Sequence, residues 1–468
     1  MDLSVDLSRR GDRATALYRA LLDALRAGRL RPGDRLPPSR TLAADLGVAR
    51  ATVATVYERL VAEGHLEARV GAGTFVSRAA APTTRRRRRA PAALRPRDSW
   101  TSLPRPVSGS EATPPYDFRV GIPDASLFPF DTWRRLLAAA SRRGAEPGTY
   151  AEPQGHPELR AALARHLAYS RGVDAEPDDI VVTHGTQQAL DLVARVLLEP
   201  GDVVVVEDPG YPFARDLFAS YGARVIPVPV DGEGLLVDAL PRRARLVFTT
   251  PSHQFPLGPP LSLARRQALL GFAARHDCAI IEDDYDSEFR YVERPLDPLH
   301  TLDQDGRVVY VGTFSKSLLP SLRVGYLVAP PSLRSALRSA KQLTDGYGAP
   351  ATQLALARFL DDGLLAKHLR GASKVYAERR GLVADGLSRL GLDVVPAAAG
   401  LHLSAYLDPA HDAEALARRL RAEGVALDTL GHYTAGPLPR NGLVLGYGAA
   451  ATESIMPGIR RLGRALGR

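Results

Sequence analysis

The sequence predicts two unlike folds in one chain: a small, mostly helical module ending in a β-hairpin, then a large α/β domain with a small C-terminal α+β subdomain. Three observations carry this. The 468 residues exceed what one ordinary core serves and suit two or three domains. Helical periodicity punctuated by glycine fills residues 12–64 and gives way to two short strands. From about Tyr116, Val/Ile-rich runs alternate with amphipathic stretches, the pattern of a mostly parallel sheet covered on both faces.

In the front module, residues 12–28 read as a helix with Leu17, Leu21, Leu22 and Leu25 on one face and Gly28 near its end. Arg31-Pro32-Gly33-Asp34 forms a turn, and Ser39 is expected to cap a short helix over 40–46 that Gly47 ends. A further helix, about 49–63, stops at Gly64. Strands near 65–69 and 74–77 are joined by Val70-Gly71-Ala72-Gly73. Together these make a winged helix-turn-helix over residues 1–77. In such a module Arg50 can fork to a guanine edge or clamp a phosphate, and Thr52 suits a phosphate or a thymine methyl. Arg40 on the preceding helix is placed to grip the backbone, and Gly71 and Gly73 let the wing tip approach a groove. The competing reading is a small protein-interaction module whose surface these residues merely decorate.

Charge sharpens the picture. Of the net +9, residues 1–77 hold +3 and residues 78–115 hold +7, leaving the rest near neutral, which points to a polyanionic partner at the front. Residues 78–115, rich in Ala, Pro, Ser, Thr and Arg, read as an extended linker. Its arginine run, 85–89, either touches DNA phosphates or keeps the linker solvated. No stretch reaches the roughly 20 apolar residues of a membrane span, and no secretory leader is expected. The single cysteine, Cys278, lies in an apolar run and suits a small buried hydrophobe in a reducing cytoplasm. The 11 histidines show no metal-ligand spacing, so no metal is expected, and His253 reads as a structural or pocket-lining residue.

Only four lysines occur, so one inside a motif stands out. Lys316 closes Tyr310-Val311-Gly312-Thr313-Phe314-Ser315-Lys316 just past an apolar strand, where a desolvated amine can form a Schiff base with an aldehyde. Thr313 and Ser315 offer hydroxyls to a phosphate, and Arg323 offers a guanidinium fork. The strand 180–183 runs into His184-Gly185-Thr186-Gln187-Gln188 at a helix start, an anion-binding arrangement. The strand 279–282 ends in Asp283-Asp284-Tyr285: a carboxylate that can hold a pyridine nitrogen protonated, and a hydroxyl for a phenolic oxygen. The strand 203–207 leads to Tyr211, whose ring can stack on a flat ligand. All fall at carboxyl ends of strands, where open α/β sheets bind ligands.

The string from Pro32-Gly33-Asp34-Arg35-Leu36-Pro37 to Gly71-Ala72-Gly73-Thr74-Phe75-Val76 resembles the GntR family of bacterial regulators. That resemblance implies a double-stranded DNA operator contacted by Arg40, Arg50, Thr52 and Gly71. Residues 116–468 resemble fold-type I aminotransferases, with a large subdomain at about 140–345 and a small one at about 346–468. The resemblance implies pyridoxal 5'-phosphate (PLP) bound as a Schiff base to Lys316, with Asp283 on the pyridine nitrogen and Tyr285 on the phenolic oxygen. It places Gly185, Thr186, Gln187, Thr313, Ser315 and Arg323 around the phosphate, and has Tyr150 reach the phosphate of a partner subunit. Both domains in this order, with Ser252-His253-Gln254-Phe255-Pro256 and Glu282-Asp283-Asp284-Tyr285-Asp286-Ser287-Glu288-Phe289, resemble the MocR subfamily of GntR regulators. This implies a cytoplasmic, swapped head-to-tail homodimer in which the aminotransferase-like domain senses PLP, an amine or an amino acid and controls operator binding.

Two departures stand out. Phe255 replaces an asparagine common in aminotransferases, and Val444 stands where many hold the substrate carboxylate with an arginine. Arg215 and Arg440 are the candidate substitutes. The rival reading is an active class I/II aminotransferase carrying a DNA-binding module; a third is a relative that has lost PLP.

Overall fold

Leucines at positions 17, 21 and 25 recur at helical spacing and give the first helix one apolar stripe. The computed structural model describes residues 13–77, 97, 100, 103, 113–142, 149–291, 297–397, 399–437 and 440–468. The arginine run 85–89 and most of the expected linker lie outside them. The chain divides into two compact units, Met1–Arg95 and Pro96–Arg468.

In the first unit, α1 (Arg13–Arg26), α2 (Ser39–Leu46) and α3 (Arg50–Ala62) precede a hairpin of β1 (Leu66–Arg69) and β2 (Gly73–Val76). Leu17, Leu21, Leu25, Val53, Val56, Leu60, Leu66 and Val76 form its core. Ser39 is not the cap expected of it. Pro38 occupies the N-cap position, and no side chain caps the helix. The fixed proline φ of −52°, with an extended ψ, feeds the chain straight into the first turn. Gly47 ends α2 with a left-handed φ of 62°, as its position suggests. The Gly33 and Leu36 amides donate to the Val76 and Thr74 carbonyls, laying the turn segment along the hairpin. The Tyr57 hydroxyl donates to the Pro37 carbonyl at 2.9 Å, fixing α3 against the same segment.

The second unit opens with β3 (Tyr116–Asp117). Its large sheet takes β4 (Ile180–Thr183), β5 (Val203–Asp208), β6 (Arg224–Asp231), β7 (Gly234–Leu235), β8 (Ala244–Thr249), β9 (Ala279–Asp284), β10 (Val308–Thr313) and β11 (Gly325–Val328). The eight strands lie in the order β4-β11-β10-β9-β8-β5-β6-β7. The pairs within β10-β9-β8-β5-β6 are parallel, whereas β11 runs antiparallel to both β10 and β4. The alternating apolar pattern therefore anticipated the parallel core but not the reversed β11. Apolar clusters cover the sheet on both faces.

A second, four-stranded antiparallel sheet takes β12 (Asp393–Val394), β13 (His402–Tyr406), β15 (Asp428–Thr429) and β16 (Gly442–Gly446), while β14 (Val425–Ala426) pairs with β3. The helix Pro350–Asp361 buries Leu354, Leu356 and Phe359 against Leu159, Leu163 and Ile180 in the large core. The small core begins further on, with Ala372 and Tyr376 of the helix Leu364–Arg389. The change of core thus falls inside that long helix, beyond the expected edge near 346, because an amphipathic helix sides with whichever core meets its apolar stripe.

Arg379 ties the opening strap of this unit down. Its guanidinium is buried, donating to the Gly448 carbonyl and Asp124 carboxylate, both at 2.7 Å, and to the Thr452 hydroxyl at 3.1 Å. Arg379→Met leaves a part-buried Asp124 oxygen and the buried Gly448 carbonyl without their donor, and should cost about 3 kcal/mol in urea unfolding. Arg134→Met, which breaks the exposed pair with Asp131, should stay within about 1 kcal/mol of the parent. Equal losses from both would refute this ranking.

Candidate DNA interface and cofactor site

The first unit presents Arg40 exposed on α2 and Arg50 exposed at the first residue of α3. Thr52 is half-buried on the next positions of α3. Gly71 sits at the wing tip with φ 75°, next to the fully exposed Val70. Gly73, with φ 112°, brings the wing against Arg35: a Cβ there would lie 3.1 Å from its Nε. Thr55, exposed on α3 four residues beyond Ala51, shares that face and was not singled out from sequence, where it reads as one more small polar residue.

In the second unit the carboxyl ends of the parallel strands surround a cavity of about 390 Å³. Thr186, Gln187, Tyr211, Asp283, Tyr285, Thr313, Ser315, Lys316 and Arg323 all line it. Gly185 is the N-cap of the helix Thr186–Leu197, whose first amides point toward the cavity end that also holds Arg323. Gly325 on β11 allows this closeness, since a Cβ there would come 2.7 Å from the Gly185 Cα. Arg323 has a left-handed φ of 51°, rare for a residue with a side chain, and its guanidinium donates to the His184 carbonyl. The Thr313 hydroxyl donates to the Ser315 hydroxyl at 3.0 Å.

Lys316 Nζ donates to the Gly121 carbonyl at 2.7 Å. Glycine suits this position: its φ is 79°, and a Cβ on Gly121 would stand 2.8 Å from Nζ and push the lysine tip aside. Burial holds the Lys316 ammonium below the usual lysine range, with Asp286 and Asp283 opposing the shift. Burial pushes the Asp283 carboxyl up to about 8, helped by Asp284 and opposed by Lys316. Its Oδ1 is buried without a partner.

Tyr285 and its neighbours form a constellation that sequence spacing did not show. His253 Nδ1 lies 3.0 Å from Asp286 Oδ1 and 2.9 Å from the Tyr285 hydroxyl. A proton on Nδ1 donated to Asp286 leaves the Tyr285 proton free to point into the cavity. His253, Asp286 and His402 bring their donor atoms within 4.8 Å of one another, although the sequence suggested no metal cluster. His253 Nδ1 and His402 Nε2 already bond within the protein, the latter donating to the Pro256 carbonyl at 3.0 Å, whereas His253 Nε2 is buried without a partner. The small subdomain closes the cavity with Leu401, His402, Asp428, His432 and Tyr433, none singled out from sequence. Phe255 lines it as well, edge-on to Tyr211, Tyr285 and Tyr433.

Three sequence candidates lie elsewhere. Tyr150 is 92% exposed, edge-on to Tyr347, and does not line the cavity of its own chain. Arg215 bonds Asp216, and Arg440 pairs with Asp393 at 2.7 Å while lying over the Tyr406 ring. Neither arginine lines the cavity.

Comparison with known proteins accounts for both units. The sequence profile described as "Bacterial regulatory proteins, gntR family" matches residues 13–76, and that described as "Aminotransferase class I and II" matches residues 123–443. The chain is 39% identical over 470 residues to the probable rhizopine catabolism regulatory protein MocR of Rhizobium meliloti, covering 95% of this chain and 92% of that one. It is 37% identical to the HTH-type transcriptional regulator TauR of Rhodobacter capsulatus, covering 96% of each. The chain belongs to the MocR subfamily of GntR-type transcription regulators. Members of this subfamily join a helix-turn-helix to an aminotransferase-like domain, and the regulator reading prevails over that of an enzyme with an attached module. Among solved structures, the Pyrococcus horikoshii kynurenine aminotransferase in complex with PMP matches with a TM-score of 0.70 and 32% identity, over 76% of this chain and 91% of that one. LysN of Thermus thermophilus, complexed with N-(5'-phosphopyridoxyl)-L-leucine, matches with a TM-score of 0.69 and 32% identity, over 75% and 91%. GntR-type regulators bind DNA operators, and the aminotransferase class I and II family binds PLP. No helix among the described residues is long and apolar enough to cross a membrane.

The raised Asp283 carboxyl makes this MocR-type domain sensitive to pH when ligand-free. A carboxyl whose folded pKa lies above its unfolded value adds stability at low pH and loses it as pH rises through the folded pKa. The folded protein should therefore weaken as pH climbs toward about 8. Asp283→Asn should flatten that slope by up to about 1.4 kcal/mol per pH unit between roughly pH 5 and 7, followed by urea unfolding. An unchanged slope would mean that Asp283 ionises normally.

Proposed function

We propose that the chain is a PLP-dependent operator-binding regulator whose second unit holds the cofactor and reads an amino compound or PLP itself. The observation that carries the reading is the lone Asp283 oxygen, buried beside Lys316 in a cavity whose other end gathers Thr186, Gln187, Ser315 and Arg323. A buried acceptor without a donor is costly, and a protonated ring nitrogen is the donor that such a site lacks. The donor set also fits the rest of the group: hydroxyls, helix amides and a guanidinium for a phosphate, aromatic Tyr211 for a flat ring. Bound there, PLP supplies an aldehyde that captures amines and a ring that withdraws electrons.

Each residue then has a task. Lys316 holds the aldehyde, and its burial favours the uncharged, nucleophilic amine over the ammonium. Asp283 holds the ring nitrogen and Tyr285 the phenolic oxygen, while Tyr211 stacks on the ring. Gly185, Thr186, Gln187, Thr313, Ser315 and Arg323 hold the phosphate. Exposed Tyr150 serves the site of a partner subunit in a head-to-tail homodimer. On the other unit, Arg40, Arg50, Thr52 and Gly71 meet the operator.

The test is operator binding by the full chain on its own upstream DNA, with and without PLP. PLP should change operator affinity, and Lys316→Ala should abolish that response. Arg50→Ala should weaken operator binding by about 1–3 kcal/mol if it reads a base. Affinity indifferent to both PLP and Lys316→Ala would overturn the cofactor-gated reading. Sustained turnover of amino donors would favour the aminotransferase instead.

A further inference from the structure

The cavity is unevenly charged, and the unevenness selects a class of ligand. Among the described residues that line it, Lys316 and Arg323 are the only lysine and arginine. On the reading above, both are occupied by the cofactor. His402 donates Nε2–H to Pro256, and burial holds its ring well below the usual histidine range, so it is neutral. Three arginines outside the lining are already engaged: Arg119 with Asp117 at 2.6 Å, Arg215 with Asp216 at 3.4 Å and Arg440 with Asp393 at 2.7 Å. Val444 lies buried in an apolar cluster with Leu257, Leu430 and Tyr433. Apart from the exposed His432, no basic side chain among the described lining residues remains to meet a ligand carboxylate.

What remains is an acid and aromatic walls. Asp428 lines the cavity, accepts one hydrogen bond from the Tyr433 hydroxyl at 2.7 Å through Oδ2, and sits across from Val444 in the pairing of β15 with β16. Its place is fixed from both sides. Asp208 accepts from the Ala435 and Gly436 amides at 2.8 and 3.1 Å, and the Gly210 amide donates to the Tyr433 carbonyl at 2.9 Å. These bonds clip the Asp428–Tyr433 wall to the end of β5. Phe255, Phe213 and Leu401 supply the apolar remainder.

We infer that the effector is an amine without a carboxylate, carrying a hydrogen-bond donor at its far end that meets Asp428. This rests on the proposed cofactor role of the cavity. A carboxylate placed in this half-buried wall faces a like charge, which disfavours it, whereas an ammonium or hydroxyl finds an acceptor.

The experiment titrates the PLP-loaded full chain by calorimetry with matched pairs: cadaverine against lysine, histamine against histidine, ethanolamine against serine. Each amine should bind about tenfold or more tightly than the amino acid with the same side chain. Cadaverine and ethanolamine report the ammonium and hydroxyl arms, and pentylamine, with no far donor, should bind more weakly than cadaverine. Asp428→Asn should shrink the cadaverine advantage, and Asp428→Arg should reverse the preference within each pair. Amino acids binding as tightly as their amines, or no amine binding at all, in protein that shows the visible band of bound PLP would overturn this inference alone. Absence of that band after adding PLP would overturn the cofactor reading and this inference with it.

Discussion

The register of β9 in the parallel sheet decides which of three consecutive carboxylates serves the cavity. Glu282, Asp283 and Asp284 alternate faces, as strand residues must. β9 pairs with β10 so that Asp283 sits opposite Val311. Glu282 and Asp284 then turn away from the cavity, and Asp283 alone turns into it. A slip of one residue would present two acids to the cavity and remove the one that faces Lys316.

Each outward acid has donors on at least one oxygen, although Asp284 Oδ1 is buried without a partner and burial still raises the Glu282 carboxyl; Asp283 has no donor on either oxygen. Glu282 accepts from the Leu299 and His300 amides, both at 2.9 Å, with Arg266 nearby. Asp284 pairs with Arg171 at 2.7 Å and accepts from the Tyr310 hydroxyl. Such partners are what a buried carboxylate needs to stay charged without a large penalty. Their absence at Asp283 is a local violation of the rule that buried polar groups are satisfied, and such violations concentrate where a ligand completes the structure.

This division explains what was legible in the sequence. Lys316, Asp283, Tyr285 and Thr186 could be singled out because each lies within a few residues of a strand end, so local pattern alone places it near the carboxyl edge of the sheet, whereas Arg323 was singled out by its guanidinium shortly after the Lys316 motif. Asp428, Tyr433 and His402 could not, because only the packing of the small subdomain against the β5 end brings them there. The His253–Asp286 pair spans 33 residues and depends on two loops meeting. β11 was not read as a strand at all, and hydrophobicity would in any case have given a buried strand without its direction. Ser39 failed as a cap because Pro38 before it had already set the entry geometry. On the first unit, the arginines and the glycines were legible from motif and turn chemistry, whereas Thr55 needed the helical face on which it sits.

The cavity walls come from two cores. Lys316, Asp283 and Arg323 belong to the large sheet and its loops, whereas Leu401, His402 and Asp428 belong to the small subdomain. A ligand that touches both sides has a binding free energy that depends on the separation of the two cores. That dependence is the physical condition for a signal, because a ligand shifts a conformational equilibrium only by its difference in affinity for the two states. A cofactor held by the large subdomain and walled by Leu401 and His402 couples to that separation through the small subdomain's side of the cavity. An amine reaching from the cofactor to Asp428 adds to that coupling. The same wall that sets what the cavity accepts therefore also gives the ligand a lever on the shape of the domain, so recognition and response share one carboxylate.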